Sequence, residues 1–465
     1  MKHVYVPEED NGLSAPGQKF SSASLWIPRD SVPNETMLMS ACTFRQSASS
    51  ARAKIPKPIK LARLEQNHIV MPRHFFNFPE GPTVPVPDYD WESVDFGSTI
   101  QMRNRAQRKA WGALSRANFG TLNLACGKGK TVLALHKIAQ RGVPAIVIVP
   151  SIGLLDQWVE RACQFLDLTE DDIGVVRGKK SQWDKKLVVA TVQTLVARKN
   201  DIPHSVRKRF GTVVFDEVHH MAASSFVLVA DLFHGARYGL TATPVREDGL
   251  EDVYYAHIGG VFYRDLEGEL NASLYFKPLD VKLTKTERES YLDKLGEFSI
   301  GKFYQVLADK PSRNVGILRL VERALEKERK VLVLVHSANH PEKLMKLFGS
   351  SGLKKRYTAA QVSGKTKGAD RTQLMEEADV TFATFGVAKE GLDVASLDTL
   401  IFATPFKAWG AFQQGKGRVE RITAAKQDPV VVVVEDRLIG PSRALCRALK
   451  NQIMAKGYHY VEIST

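Results

Sequence analysis

The chain has 465 residues, a quarter of them charged, and a formal net charge of +14 at pH 7. Its length suits about three domains of roughly 150 residues each, and its excess of Lys and Arg favours a polyanionic partner. No apolar run is long enough to cross a bilayer, and Met1–Asp10 is charged, so we expect neither a membrane span nor a secretory signal. Four scattered cysteines suit the reducing cytoplasm.

Residues 1–95 precede the first sustained α/β pattern and differ from it in composition. The pattern of residues 61–72 predicts a strand, a turn and a second strand, and the Pro-rich residues 81–97 are typical of a linker. Pro56 and Pro58 make a helix before these strands unfavourable. We therefore expect a small β-containing N-terminal domain followed by a linker.

The N-terminal region also carries a strongly basic segment. Arg45–Arg63 contains six Lys or Arg residues and no Asp or Glu. Such a segment can neutralise the phosphates of duplex DNA, and Arg52, Lys54 and Lys57 are the candidate contacts. The alternative is a solvated linker without a partner, and the residues alone leave both interpretations open.

Residues 96–268 alternate apolar strands with helical stretches. A basic helix is predicted at 103–116, ahead of strands at 122–125, 145–149, 187–190, 212–215 and 237–240. This alternation predicts a mostly parallel sheet with helices on both faces.

The segment LACGKGKT at 124–131 has the composition of a phosphate-binding loop. Gly127 and Gly129 let backbone N–H groups face a phosphate chain, Lys130 reaches the β- and γ-phosphates, and Thr131 offers a hydroxyl to Mg²⁺. A helical pattern follows, so the phosphates would lie at a helix N-terminus. The alternative is a turn rich in Gly and Lys. The predicted nucleotide-binding residues of the loop are Cys126, Gly127, Lys128, Gly129, Lys130 and Thr131.

Two adjacent carboxylates follow the strand at 212–215, in the segment FDEVHH. Asp216 would hold Mg²⁺ together with Thr131, and Glu217 would polarise the attacking water. The simpler interpretation is that the acidic pair caps a helix. The HEXXH spacing of a zinc site is absent, so magnesium is the metal that we expect.

Residues 269–465 repeat the α/β alternation, with strands predicted at 330–335, 380–383, 399–402 and 430–434. Five consecutive valines in the last of these are typical of a parallel strand buried on both faces. Near the end, the pattern Gln414-x-x-Gly417-Arg418-x-x-Arg421 puts two guanidinium groups on one helical face, which suits a γ-phosphate. The alternative is a solvated basic helix face.

Taken in chain order, the segments at 124–131, 215–220 and 414–421 resemble motifs of the superfamily 2 helicases, and the resemblance covers roughly residues 99–435. The further matching segments are VPSIGLLDQW (149–158), ATVQTL (190–195), YGLTATPVRED (238–248), KVLVLVHS (330–337) and ATFGVAKEGLDV (383–394). The LxCGxGK form of the loop and TATPVRED are similar to the XPB-like branch. The size and layout resemble the UvsW-type branch-migration helicases of bacteriophages.

The resemblance implies two RecA-like domains in tandem, 96–268 and 269–465, that use ATP and Mg²⁺. It implies that Gln107 reads adenine and that Arg418 and Arg421 of the second domain act as arginine fingers. Gln414 and His219 would sense the nucleotide, Gly391 and Asp393 would lie near the ribose and the γ-phosphate, and Thr241 and Thr243 would couple hydrolysis to domain movement. The implied DNA-phosphate contacts are Pro150, Ser151, Thr191, Gln193 and Thr384.

The expected function is an ATP-dependent DNA helicase acting on branched or forked DNA in replication, recombination or repair, as a monomer in the cytoplasm (the host's, if phage-encoded). One alternative is a duplex DNA translocase that does not separate strands. Another is a DNA-annealing scaffold protein with a decayed ATPase, which the presence of Lys130, Asp216, Glu217 and Arg421 disfavours.

Overall fold

A computed structural model describes residues 23–45, 57–75, 90–125, 127–221, 223–242, 249–266, 272–362, 366, 368–386, 394, 396–420 and 427–463. The chain divides into two compact units, Met1–Leu266 and Glu267–Thr465. Among the described residues, no helix combines the length and apolarity needed to span a membrane.

The N-terminal part of the first unit is a small β structure. Its elements are β1 (Ser24–Pro28), α1 (Glu35–Ala41), β2 (Thr43–Phe44), β3 (Ile59–Lys60), β4 (Arg63–Glu65) and β5 (His68–Pro72). Antiparallel pairing gives the order β1–β5–β4, and β2 pairs separately with β3. Strands β4 and β5 confirm the strand, turn and strand predicted at 61–72.

An eight-stranded sheet with surrounding helices forms the rest of the first unit. Its elements are α2 (Arg105–Arg116), β6 (Gly120–Leu124), α3 (Lys130–Arg141), β7 (Ala145–Val149), α4 (Ile152–Phe165), β8 (Ile173–Arg177), β9 (Lys180–Ser181), β10 (Leu187–Thr191), α5 (Val192–Arg198), α6 (His204–Arg209), β11 (Thr212–Phe215), α7 (Ala223–Ala230), β12 (Ala236–Thr241), α8 (Glu251–Ile258) and β13 (Val261–Asp265). The order is β13–β6–β12–β11–β7–β10–β8–β9, and only the β8–β9 pair is antiparallel. All five predicted strands and the basic helix are present.

Apolar cores cover both faces of this sheet. Along β7, Ile146 and Ile148 enter one core while Val147 and Val149 enter the other, as the two-residue period of a strand requires. The first core also takes in apolar side chains of β1 and β5, including Ile69. The small N-terminal sheet is therefore packed onto the same core as the larger one.

The second unit contains a seven-stranded sheet, and every strand pair in it is parallel. Its elements are β14 (Ser273–Leu279), α9 (Lys285–Ser290), α10 (Ile300–Ala308), α11 (Pro311–Leu325), β15 (Val331–Val335), α12 (His340–Ser350), β16 (Ala359–Val362), α13 (Gly368–Glu377), β17 (Val380–Thr384), β18 (Thr399–Phe402), α14 (Trp409–Val419), β19 (Val430–Asp436), α15 (Gly440–Ala455) and β20 (Val461–Glu462). The order is β16–β17–β15–β18–β19–β14–β20. The valine run forms β19, whose alternate residues enter opposite cores, so its predicted burial on both faces is confirmed.

A buried ion pair joins helix α11 to the end of β19. Nε of Arg313 lies 2.8 Å from Oδ1 of Asp436, and both side chains are fully buried. Arg313 also donates to the carbonyl of Ala403, and Ser442 donates to Asp436. These hydrogen bonds compensate the desolvation of both charges, whereas loss of one partner would leave the other buried and uncompensated.

Replacing His340 by Gln should remove part of the acid sensitivity of this unit. Nε2 of the buried His340 lies 2.8 Å from Oδ1 of Asn314. Burial, helped by the charge of Arg313, lowers the pKa of His340 from 6.5 to about 3. In the unfolded chain this histidine is therefore protonated below about pH 6.5, whereas in the folded chain it is protonated only below about pH 3. As the pH falls from about 6.5 to about 3, the free energy of unfolding decreases by up to about 1.4 kcal/mol per pH unit.

Urea unfolding at about pH 7 and pH 5.5 measures this effect, and the wild type should lose about 1 kcal/mol more than His340→Gln on acidification. His459→Gln alters an exposed ring and is the matched control. Equal acid sensitivity of all three proteins would contradict the assignment to His340.

Candidate nucleotide and nucleic-acid site

The predicted phosphate loop connects strand β6 to helix α3. Gly127 and Gly129 have φ angles of +84° and +82°, in the left-handed region that glycine adopts without strain. A Cβ atom on Gly129 would collide with Nε2 of Gln107. Helix α3 begins at Lys130, so the loop opens onto a helix N-terminus as the sequence predicts. Cys126 lies outside the described residues.

Helix α2 packs its first turn against this loop. Gln107 is 5% exposed, and its Oε1 accepts a hydrogen bond from the backbone of Arg103. The guanidinium of Arg103 donates to the carbonyl of Gly127. The structure thus places Gln107 beside the loop, and it adds Arg103, which the sequence marked only as part of a basic helix.

The two lysines of the loop have different surroundings. Nζ of Lys130 donates to the carbonyl of Leu124 over 3.1 Å, at the end of β6. Lys128 forms an ion pair with Asp265, and its side chain is 9% exposed. Asp265 ends β13, and its carbonyl accepts a hydrogen bond from Ala125. The sequence did not single out Asp265, which follows the loop by more than a hundred residues.

Asp216 lies directly after β11 and is 3% exposed. Its Oδ2 accepts a 2.7 Å hydrogen bond from the indole Nε1 of Trp158, and its Oδ1 accepts one of 2.8 Å from the backbone of Glu217. Burial and the neighbouring charge of Glu217 raise the pKa of Asp216 to about 6, against the lowering effects of Trp158 and Lys130. A cation bound beside Asp216 would favour the ionised form of this carboxyl group.

Glu217 has a left-handed backbone, with φ +45° and ψ +46°, which is unusual for a residue other than glycine. Its Oε2 lies 3.4 Å from Nδ1 of His219, and that nitrogen also lies 2.7 Å from Oγ1 of Thr241. The structure therefore brings together the predicted water-polarising residue Glu217, the predicted nucleotide sensor His219 and the predicted coupling residue Thr241. Thr243 lies outside the described residues.

The predicted DNA contacts of the first unit form a second group. Ser151 caps helix α4 by accepting a hydrogen bond from Leu154, and Nε2 of Gln193 donates to the carbonyl of Pro150 over 2.8 Å. Thr191 ends β10, the parallel neighbour of β7. These residues lie together at the carboxyl ends of two adjacent strands.

The remaining predicted residues are distributed as follows. Thr384 ends β17 in the second unit, and Lys57 is exposed ahead of β3. Gln414 and Arg418 lie four residues apart on helix α14, with Gln414 4% exposed and Arg418 half-buried. The candidates Arg52, Lys54, Gly391, Asp393 and Arg421 lie outside the described residues.

The oxygen donors of the first unit fit magnesium. Mg²⁺ in nucleotide sites usually takes one or two protein oxygens and completes its shell with phosphates and water. The Asp216 carboxylate and the Thr131 hydroxyl are donors of this kind. Within the described part of the chain, no group of three or more His, Cys, Asp or Glu side chains forms a cage for a metal ion.

Each of the two α/β units contains a segment that matches a known family model. Residues 97–246 match the family described as "Type III restriction enzyme, res subunit", and residues 316–423 match the "Helicase conserved C-terminal domain". The "DNA 3'-5' translocase XPB2" of Sulfurisphaera tokodaii is 34% identical over 39% of this chain and 40% of its own. "Probable helicase D10" of Escherichia phage T5 is 24% identical over 66% of this chain and 65% of its own.

The chain thus spans less than two thirds of the length of either relative. Among solved structures, Saccharomyces cerevisiae Dbp5 bound to RNA and ADP BeF3 superposes with a TM-score of 0.56, over 79% of this chain and 90% of its own, at 13% identity. This likeness supports the fold of two tandem RecA-like domains.

Replacing Glu217 by Gly should stabilise the first unit and abolish the ATP hydrolysis that the sequence predicts for it. Glycine adopts the left-handed backbone without the steric cost that glutamate bears, so the free energy of unfolding should rise by about 1 kcal/mol. Urea unfolding and phosphate release from ATP measure the two effects.

Gln66→Gly is the matched control, because Gln66 also has a positive φ, of +50°, but lies in the turn between β4 and β5. It should stabilise the protein without changing turnover. A Glu217→Gly variant that turned over normally would contradict the role of Glu217.

Proposed function

We propose that this chain, which belongs to the superfamily 2 helicases and is similar to their XPB-type members, is an ATP-driven DNA helicase that acts on branched DNA. One observation carries the proposal. One edge of the first sheet carries the predicted phosphate loop, with two left-handed glycines, together with the buried Asp216 and the strained Glu217. Such a combination lowers the stability of the folded chain, and its residue types suit phosphoryl transfer.

In the proposed ATP site, each residue has a distinct task. The loop N–H groups and Lys130 hold the phosphates, Thr131 and Asp216 hold Mg²⁺, and Glu217 orients the attacking water. Bound Mg²⁺ would neutralise charge on the β- and γ-phosphates. Gln107, which lies against the loop, is suitably placed to read the base. The arginine-finger role of Arg418 and Arg421 stays a prediction from their spacing.

In the proposed DNA site, the residues that follow β7 and end β10 bind phosphates of the nucleic acid. The N-terminus of α4, capped by Ser151, offers backbone donors and a favourable dipole, and Gln193 and Thr191 add polar groups beside it. Contacts of this kind position a nucleic acid without reading its sequence. The name of the XPB2 relative favours DNA over RNA, since the likeness to Dbp5 concerns the fold alone.

The preference for branched DNA is proposed from the N-terminal region. Lys57 and Lys60 are exposed on or next to β3, whereas Arg63 is already paired with Glu65 over 2.6 Å. Among the described cations of this segment, Lys60 lies on β3 and Lys57 lies just before it, and Phe44 and Ile59 of the β2–β3 pair pack against a core of the first unit. These lysines could therefore hold a duplex arm while the two RecA-like domains move along the strand beyond it.

A duplex translocase that does not separate strands is the second candidate, and the name of the XPB2 relative, a translocase, favours it. Unwinding of a labelled fork and displacement of a triplex-forming strand from plain duplex distinguish the two. Fork unwinding supports the helicase, and triplex displacement without unwinding supports the translocase.

The variant Lys130→Ala should lose ATP turnover and keep most of its DNA affinity. The ammonium of Lys130 lies at the phosphate loop, whereas the proposed DNA contacts lie beyond β7 and β10. Phosphate release and fork titration by fluorescence anisotropy measure the two properties. Turnover within several-fold of wild type would remove the phosphate-loop assignment.

Replacing both Lys57 and Lys60 by Gln should weaken fork binding at every sequence. Neutralising a lysine that pairs with a phosphate flattens the log–log salt dependence of binding by about 0.9, so the double variant should change the slope by up to about 1.8. Fork titrations at several salt concentrations measure it. Lys282→Gln/Lys294→Gln, which neutralises two exposed lysines outside the predicted contacts, is the control. Identical slopes in both double variants would indicate a solvated linker.

A further inference from the structure

We propose that Trp158 is a positioning residue for Asp216, and that through it helix α4 couples DNA binding to the magnesium site. The inference rests on the proposed function, and it names the residue that connects the proposed DNA site to the proposed magnesium site. Its basis is one buried contact between the indole of Trp158 and the carboxylate of Asp216.

The contact has the geometry of a charge-assisted hydrogen bond. Nε1 of Trp158 donates to Oδ2 of Asp216 over 2.7 Å, with the two residues 1% and 3% exposed. The indole N–H can only donate, so Trp158 has a single polar function at this place. Trp158 belongs to an apolar core cluster, and its one polar group is directed at the predicted metal ligand.

The hydrogen bond limits the rotation of the carboxylate. Trp158 holds Oδ2 while the backbone N–H of Glu217 holds Oδ1. Each oxygen keeps a lone pair for other partners, and the plane of the group is set by the two donors. A carboxylate oriented in this way meets a cation without rearrangement, as the outer partners of metal ligands generally ensure.

The same tryptophan belongs to the helix that starts at the proposed DNA site. Helix α4 begins directly after Ser151, and Trp158 lies on its second turn, about 10 Å along the axis. Strands β7 and β11 are parallel neighbours, so the segments that follow them, α4 and Asp216, lie side by side. A shift of α4 when a phosphate binds its N-terminus would therefore move the indole relative to the carboxylate.

The chain contains a matched tryptophan for comparison. Nε1 of Trp91 donates to the carbonyl of Lys208 over 2.8 Å, in the same unit. Its acceptor is a neutral backbone group away from the phosphate loop. Trp91→Phe therefore removes an indole hydrogen bond and some packing, as Trp158→Phe does, without touching Asp216.

The experiment compares the wild type, Trp158→Phe and Trp91→Phe as full-length chains. Affinity for a fluorescent ATP analogue is titrated with Mg²⁺ and repeated in EDTA, and ATP turnover is measured with and without forked DNA. For Trp158→Phe we expect about tenfold more Mg²⁺ to be required, an unchanged affinity in EDTA, and a several-fold smaller stimulation by DNA. Trp91→Phe should match the wild type.

A third protein separates the hydrogen bond from the packing. Site-specific incorporation of 3-benzothienylalanine in place of Trp158 keeps the shape of the side chain and removes its N–H group. It should behave as Trp158→Phe in Mg²⁺ dependence while melting close to the wild-type temperature. If it behaves as the wild type, or if Trp158→Phe and Trp91→Phe are alike, Trp158 is a packing residue and the inference is overturned.

The outcomes for the inference and for the proposed function remain distinct. A wild type that turns over ATP, together with unaffected Trp158 variants, overturns the inference alone. A wild type that binds Mg²⁺ and nucleotide but does not hydrolyse ATP overturns the proposed motor, and the titration still decides the role of Trp158. A wild type that shows no Mg²⁺-dependent nucleotide binding overturns both.

Discussion

The parallel order of the first sheet is the constraint on which the candidate site depends. Parallel strands place their carboxyl ends at one edge, and the segments after β6, β12, β11, β7 and β10 are neighbours there in that order. The first three supply the phosphate loop, Thr241 and Asp216, and the last two supply the proposed DNA contacts. Strand β11 therefore lies between the strands that border the proposed nucleotide site and those that border the proposed DNA site.

This arrangement concentrates unfavourable features in a small region. A buried carboxylate with a raised pKa, a glutamate in the left-handed region and a loop lysine in a partly buried ion pair all occur there. Each costs stability by itself, and each is tolerated because the strands around it are packed on both faces. Residues held in this way would need little rearrangement to accept the proposed nucleotide and its cation.

The N-terminal strands are attached to this unit by buried charges as well as by apolar packing. The fully buried Arg237 donates to the carbonyl of Ala23 over 2.6 Å, and Ser24 donates to Asp231, which also interacts with Arg237. Arg73, after β5, donates to the carbonyl of His234. Each of these contacts adds a hydrogen bond to a charged side chain in the interior, so the ends of β1 and β5 are anchored to the same unit as the site.

The sequence by itself determined the local features of this protein. The strands, the Gly-containing loop ahead of a helix and the valine strand buried on both faces follow from hydrophobic period and glycine placement, which act over a few residues. Only the tertiary structure decided the contacts of Trp158 with Asp216 and of Lys128 with Asp265, which join residues 58 and 137 positions apart. Those pairings depend on strand order, and periodicity does not encode which strand lies beside which. The attachment of the N-terminal sheet to the first core was hidden for the same reason, because an apolar strand shows that one face is buried and not what covers it.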